Sequence, residues 1–250
     1  MIPQIIHYCW FGRKPLPELA LKCIASWKKF FPEYEIKEWN EDNFDVDQIP
    51  YTAQAYKCKK YAFVSDYARF KIMYEHGGIY FDTDVEVVKP MDKIIEKGPF
   101  FGIETARERL LCNPGLGFAS PPELSICKEM IDAYNSMDFI HPNGQYNLKT
   151  VVRIISELLS EKGFHAALSP IKFNDIYFYP PEYFSPINYI TKAKNITANT
   201  HTIHHYAASW VDEERKPSKI VKIWKKLHLP NTDIRGKLSR LLKRNSCSHH

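Results

Sequence analysis

Asp82-Thr83-Asp84 closes the apolar run Ile79-Tyr80-Phe81, which itself follows Gly77-Gly78. Carboxylates two positions apart on an extended segment face the same way. Such a pair can share one hard divalent cation and leave coordination positions open for phosphate oxygens. The pattern alone is weak, since a chain with this many Asp residues carries about half such a motif by chance. A second copy, Asp45-Val46-Asp47, reads as a solvated loop because no apolar strand leads into it. The plain alternative for residues 82–84 is a strand-end turn. Upstream, Ser65, Asp66 and Arg69 fall at i,i+4 and i,i+3 helical spacing. An Asp and an Arg there could hold sugar hydroxyls and phosphate beside a cation, or form an ordinary intrahelical ion pair.

Strands and helices must position these groups. Residues 3–9 are strand-like. Residues 16–31 have a helical face of Leu19, Cys23, Trp27 and Phe30, with Pro17 near the first turn and Pro32 as a stop. Residues 34–39 alternate as a strand does. Residues 51–76 predict one helix capped by Gly77-Gly78, followed by a short strand, IYFDTDVEVV, that runs into the acids. Residues 99–150 are less regular, residues 150–159 read as a helix, and residues 171–187 read as strands and loops. This alternation predicts an α/β sheet with a ligand edge at its strand ends.

With 250 residues and 44% hydrophobic content the chain can bury a core without disulfide staples, which excludes a disordered or fibrous class. No apolar run reaches the ~18–20 residues of a membrane span. MIPQIIHYCWFG has neither the basic region nor the cleavage site of a signal peptide. None of the six cysteines forms a CxxC pair, which fits a reduced, cytoplasmic chain. Charge is uneven: between Lys219 and Arg244 lie nine Lys/Arg and one acid, Asp233, whereas the whole chain is only +5. Ile220, Ile223, Trp224 and Leu227 recur at helical spacing there, as do Ile234, Leu238, Leu241 and Leu242. Residues 216–248 therefore read as a basic amphipathic tail for an anionic membrane surface, or as a stripe packed on the body; residues 1–215 form the main domain. No nucleic-acid motif accompanies the charge, so no nucleic-acid partner is expected.

The run YAFVSDYARFKIMYEHGGIYFDTDVEVVKPMD, residues 61–92, resembles the signature of glycosyltransferase family 32, whose members carry a DXD sugar-binding region. That family includes bacterial capsular polysaccharide enzymes and fungal mannosyltransferases and is related to clostridial glucosylating toxins. The opening IPQIIHYCWFG and the late stretch His204 to Trp210 are similar to it as well. The resemblance implies a GT-A fold, a Rossmann-like α/β domain with a mixed central sheet, binding a nucleotide-sugar with Mn²⁺ or Mg²⁺. It implies that Asp84 ligates the metal and that Asp82 contacts metal or donor. Ser65, Asp66, Arg69 and Tyr80 would line the donor site, with Arg69, Asp82 and Asp84 the catalytic group. Trp10 would stack on the base, which favours UDP, or else be a core tryptophan. His205 is the expected third metal ligand, with His204 as its competitor; the pair could equally be a strand edge with no ligand. Ser209 and Trp210 would close over the diphosphate. Asn113 and Gly115 to Gly117 are candidates for the wall of the donor or acceptor site.

The implied activity is retaining transfer of a hexose or N-acetylhexosamine to a hydroxyl of a glycan acceptor. A lipid-linked acceptor is expected, in surface polysaccharide synthesis at the inner face of the cell membrane. Front-face attack by the acceptor is expected, since no enzymic nucleophile stands out. A haloacid dehalogenase-type phosphatase is discounted, because Glu86 stands where that pattern wants Thr or Val. A catalytically silent, membrane-associated scaffold of the same fold is the alternative from a different class.

Overall fold

The computed structural model describes residues 1–106, 108–188 and 192–207. The predicted tail at 216–248 and the expected donor-site residues Ser209 and Trp210 lie outside the described residues.

β1 (Ile5–Cys9) leads through α1 (Glu18–Phe30) to β2 (Glu35–Trp39), which pairs with it in parallel. α2 (Pro50–Lys57) and α3 (Tyr61–His76) bring the chain to β3 (Gly78–Tyr80), parallel to β1 on its other side. β4 (Val85–Val87) and the short α4 (Asp92–Ile95) follow. β5 (Phe100–Ala106) and β6 (Arg109–Cys112) pair antiparallel, and a 3-10 turn at Pro114–Leu116 leads to β7 (Phe118–Ser120). α5 (Ser125–Asn135), α6 (Val151–Glu161), β8 (Ile171–Phe173), β9 (Ile176–Tyr179), α7 (Pro181–Phe184) and β10 (Thr202–His204) complete the described chain. The main sheet has the order β2-β1-β3-β7-β5-β9-β8, with β6 on β5; β10 pairs antiparallel with β4 in a separate ribbon.

Period-two alternation feeds both faces of this sheet. Ile6, Tyr8, Ile79, Phe81, Phe100 and Ala119 pack with Cys23, Ile24 and Trp27 of α1. Their neighbours Cys9, Tyr80, Phe101 and Phe118 pack on the other side with apolar residues of α2, α3, α5 and α6. The sheet is mixed, as expected. Because β2 and β3 flank β1 and both run parallel to it, the carboxyl ends of β1 and β3 form a switch-point crevice, where α/β sheets bind ligands.

Two sequence expectations need correction. Residues 51–76 are two helices, not one. Lys59 adopts φ 57°, and the backbone N–H groups of Lys59 and Lys60 donate to Tyr56 and Ala55, a left-handed helix stop. Such stops usually carry Gly, so a lysine there hides the break. The segment 79–88 is not one strand either. Phe81 still donates to the His7 carbonyl of β1, but Val85 N–H turns back to the Asp82 carbonyl, and β4 departs into the second ribbon. Both Gly77 (φ 63°) and Gly78 (φ 101°) are required between α3 and β3. A Cβ at Gly77 would lie 2.8 Å from the Ser120 carbonyl, and one at Gly78 2.6 Å from the Ile5 carbonyl.

Candidate metal centre

The acidic pair is brought together by a turn rather than by an extended strand, so the strand-end turn and the site coexist. α1 fixes the downstream arm: the Trp27 indole donates to the Val85 carbonyl (2.7 Å), and Ser26 Oγ accepts from Val87 N–H (2.9 Å). β10 then lays its last residue beside that arm, His204 opposite Val85. Asp82, Asp84 and His204 each present a ligating atom, and these atoms lie within 4.8 Å of one another. His204 Nε2 is 3.0 Å from Asp84 Oδ1; Ala207 N–H donates to Asp84 Oδ2 at 2.8 Å. His205, the histidine expected here, points elsewhere: its Nε2 lies 2.8 Å from Glu86 Oε2, which also pairs with Lys22.

Behind the turn, Arg69 of α3 bridges two carboxylates, 3.0 Å from Asp66 and 3.2 Å from Asp82. Its Nε donates to the Ser65 carbonyl, and its guanidinium lies 5.0 Å from the Tyr80 ring centroid. Tyr80 donates to Asp82 Oδ1 at 3.1 Å. The intrahelical ion pair given as the alternative for Asp66 and Arg69 is present, and Arg69 extends it to Asp82 of the acidic pair. Ser65 is half-buried, and its hydroxyl donates to its own helix at Tyr61. Trp10 sits half-buried just past β1, its indole donating to the Lys14 carbonyl. The second acidic copy, Asp45 and Asp47, is exposed in a loop.

The electrostatics favour a cation. Asp66 and Asp82 share one guanidinium, and Asp84 pairs with His204, so carboxylates outnumber the fixed positive charge beside them. Burial raises the Asp66 carboxyl to about 6 despite the opposing charge of Arg69. Burial likewise leaves Asp82 above its ordinary value, against the same guanidinium. Burial acts on Asp84 too, but the charge and hydrogen bond of His204 outweigh it and hold Asp84 at about 2. His204 is raised for the reciprocal reason: burial opposes its charge, and Asp84 more than offsets that. Its other nitrogen, Nδ1, is buried with no hydrogen-bond partner among the described residues. An O,O,N donor set with net negative charge and an orphan ring nitrogen fits Mn²⁺ or Mg²⁺.

One residue beside this cluster carried little sequence signal. Glu104, on β5, is buried, and its Oε2 accepts from Asn113 Nδ2 (2.8 Å) and from the Tyr206 hydroxyl (3.0 Å). Asn113, a candidate wall residue, accepts from Gly115 N–H through Oδ1. Gly115 in turn accepts from Asp82 N–H. A Cβ at Gly115 would lie 2.1 Å from Asp82 Oδ2, so glycine makes room for the carboxylate. A charged residue within the apolar run of β5 was the one available clue to Glu104.

Residues 17–101 match a family model described as a glycosyltransferase sugar-binding region containing a DXD motif. An uncharacterized glycosyltransferase of Acanthamoeba polyphaga mimivirus is 34% identical over 111 residues, 40% of this chain and 43% of that protein. Inositol phosphoceramide mannosyltransferase 1 of Schizosaccharomyces pombe is 26% identical over 110 residues, 40% of this chain and 33% of that protein. The chain thus spans less than half the length of these curated relatives. Among solved structures, the PaToxG glycosyltransferase is similar, with a TM-score of 0.50 at 20% identity over 64% of this chain and 70% of that one. The shared fold is that of GT-A glycosyltransferases. Among the described residues no helix is long and apolar enough to cross a membrane.

Proposed function

We propose that this chain is a retaining, metal-dependent glycosyltransferase. In this reading it moves a hexose or N-acetylhexosamine from a nucleotide-sugar, UDP-linked by preference, to a hydroxyl of a glycan acceptor. The observation that carries it is the Asp82, Asp84 and His204 cluster at the carboxyl ends of β1 and β3, backed by buried Arg69. The family description and the names of the relatives, which are those of glycosyltransferases, point the same way.

Asp82, Asp84 and His204 would hold Mn²⁺ or Mg²⁺, which when bound supplies electrostatic stabilisation of a departing nucleoside diphosphate. The remaining work belongs to this chain's residues. Arg69 offsets part of the burial cost of charge on Asp82 and aims its carboxylate, and Tyr80 holds the same oxygen from the strand. Asp66, held by Arg69, would accept hydroxyls of the donor sugar. Trp10, placed where β1 ends, offers a half-buried ring to a nucleobase. Ser209 and Trp210 would add donors to the diphosphate. A transition state with oxocarbenium character follows from glycosidic bond breaking, and attack by the acceptor on the same face retains configuration.

A lipid-linked acceptor at the inner face of the cell membrane, in surface polysaccharide synthesis, completes the proposal. Two observations support a lipid partner: the basic amphipathic pattern of residues 219–244, and a relative named for inositol phosphoceramide, a lipid.

Calorimetry tests this directly. UDP and GDP are titrated, each with Mn²⁺ and with a chelator, into wild type and Asp84→Asn. The expected result is Mn²⁺-dependent binding of UDP that disappears in the variant. Binding of neither nucleotide would overturn the enzyme reading and leave the scaffold. A trapped covalent sugar–protein adduct would overturn front-face attack alone.

A further inference from the structure

The two carboxylates of the acidic pair are held by different parts of the chain. Asp84 is gripped by the end of β10 and the segment after it: His205 N–H donates to its carbonyl, Ala207 N–H to its Oδ2, and the His204 ring to its Oδ1. Asp82 rests on the turn after β6, where the Gly115 carbonyl takes its N–H and Asn113 Oδ1 takes the Gly115 N–H. These two supports come from residues about ninety positions apart in sequence. They meet at one atom. Glu104 Oε2 accepts from Asn113 on the Asp82 side and from Tyr206 on the Asp84 side.

Tyr206 is built for this contact at a backbone cost. Its φ of 50° is left-handed, which a residue with a Cβ rarely adopts. That conformation turns the ring edge-on to His204, with centroids 4.2 Å apart. It also places the hydroxyl 2.6 Å from Ser185 Oγ. With the Tyr206 proton donated to Glu104, Ser185 donates to Tyr206. The ring thus braces His204 from the side while its hydroxyl is anchored at two points.

We propose that Glu104 and Tyr206 are positioning residues that fix the spacing between the two halves of the metal site. The inference rests on the metal-site reading above. Neither residue belongs to the Asp82, Asp84 and His204 cluster, and both act through the groups that do. A carboxylate is suited to the task because it accepts strong hydrogen bonds from two neutral donors at once. Its charge also adds to the negative field that draws a cation.

The test measures Mn²⁺ affinity by electron paramagnetic resonance of free Mn²⁺, without donor or acceptor. Wild type, Tyr206→Phe, Glu104→Gln and the double variant are compared, with melting temperature recorded in metal-free buffer. Each single substitution is expected to weaken Mn²⁺ binding about tenfold, as loss of groups that orient metal ligands does. The double variant should be no weaker than the worse single, because both remove the same tie. In turnover, the donor KM should rise with Mn²⁺ demand while kcat at saturating Mn²⁺ recovers. Unchanged Mn²⁺ affinity with a lowered melting temperature would reduce both residues to packing and overturn the proposal. Additive losses would overturn the shared tie. A wild type that binds no Mn²⁺ would instead remove the metal-site reading itself, and this inference with it.

Discussion

At the scale of single residues, two buried groups illustrate opposite solutions to the cost of charge. Arg69 keeps its charge because two carboxylates share it; its side chain is 5% exposed. Replacing it with Met leaves Asp66 and Asp82 facing each other without a counter-ion. Breaking a buried pair this way costs about 3–5 kcal/mol. Arg69→Met is therefore expected to lose about that much in urea unfolding at pH 7. Arg69→Lys should recover only part, since one ammonium cannot span both partners as a planar fork does. A loss below about 1 kcal/mol, the range of exposed pairs, would refute the bridging role. His7 instead stays neutral. Its Nε2 donates to the Gly77 carbonyl at 2.9 Å, and its Nδ1 accepts from the Trp39 indole at 3.0 Å. A proton on Nδ1 would face that donor. Burial therefore outweighs the Gly77 hydrogen bond and brings the pKa to about 4. The folded value lies below the unfolded one, near 6.5, so the unfolded chain binds the extra proton between these values. The stability is complete above pH 6.5 and falls as pH drops towards 4, by about 3 kcal/mol in all. His7→Gln can keep both hydrogen bonds without titrating. Its unfolding free energy should fall less between pH 7 and pH 4.5 than that of wild type; parallel curves would assign the pH dependence elsewhere.

At the scale of elements, the site depends on turns more than on strands, which decides what the sequence could reveal. Long amphipathic pieces were legible: β1, α1, β2 and α6 stand close to where periodicity puts them. The three-residue strands β3, β4, β7, β8 and β10 are too short to carry a period. The break after α2 is hidden by a lysine in a glycine's place. Asp66, Arg69, Asp82 and Asp84 were legible because they lie within twenty residues of one another. The choice between His204 and His205 was not, since neighbours on a strand face opposite ways and only the register of β10 on β4 decides. Glu104 reaches the site through sheet pairing, which no local spacing encodes. Gly115 offers a clean test of turn geometry, because its backbone lies outside the left-handed region and an added methyl acts by volume alone. Gly115→Ala should push the Asp82 carboxylate out of place. Mn²⁺ binding, read by resonance or calorimetry, is expected to weaken at least about tenfold while the melting temperature changes little. Wild-type affinity in this variant would show that Asp82 has room to spare, and that the 3-10 turn does not shape the site.

At the scale of the whole molecule, charge is divided between regions rather than spread. The nine basic residues between Lys219 and Arg244 exceed the net charge of the entire chain, so the remainder is acidic overall. In the reading proposed above, an acidic body would be repelled by an anionic bilayer, and the basic run would offset that repulsion. Each lysine near an anionic surface contributes about 1 kcal/mol. Lys222, Lys225 and Lys226 lie beside Ile223, Trp224 and Leu227. Changing the three lysines together to Gln should weaken binding to phosphatidylserine-containing vesicles about a hundredfold. Binding of the wild type should also fall steeply as salt rises, because the attraction is screened. Hydrolysis of the donor in solution should be unaffected, since none of the three lysines belongs to the Asp82, Asp84 and His204 cluster. Vesicle flotation in parallel with a donor-hydrolysis assay separates the possibilities. Equal flotation with neutral and anionic lipid would remove the membrane role from the basic run. A loss of donor hydrolysis in the triple variant would assign those lysines to the catalytic body instead.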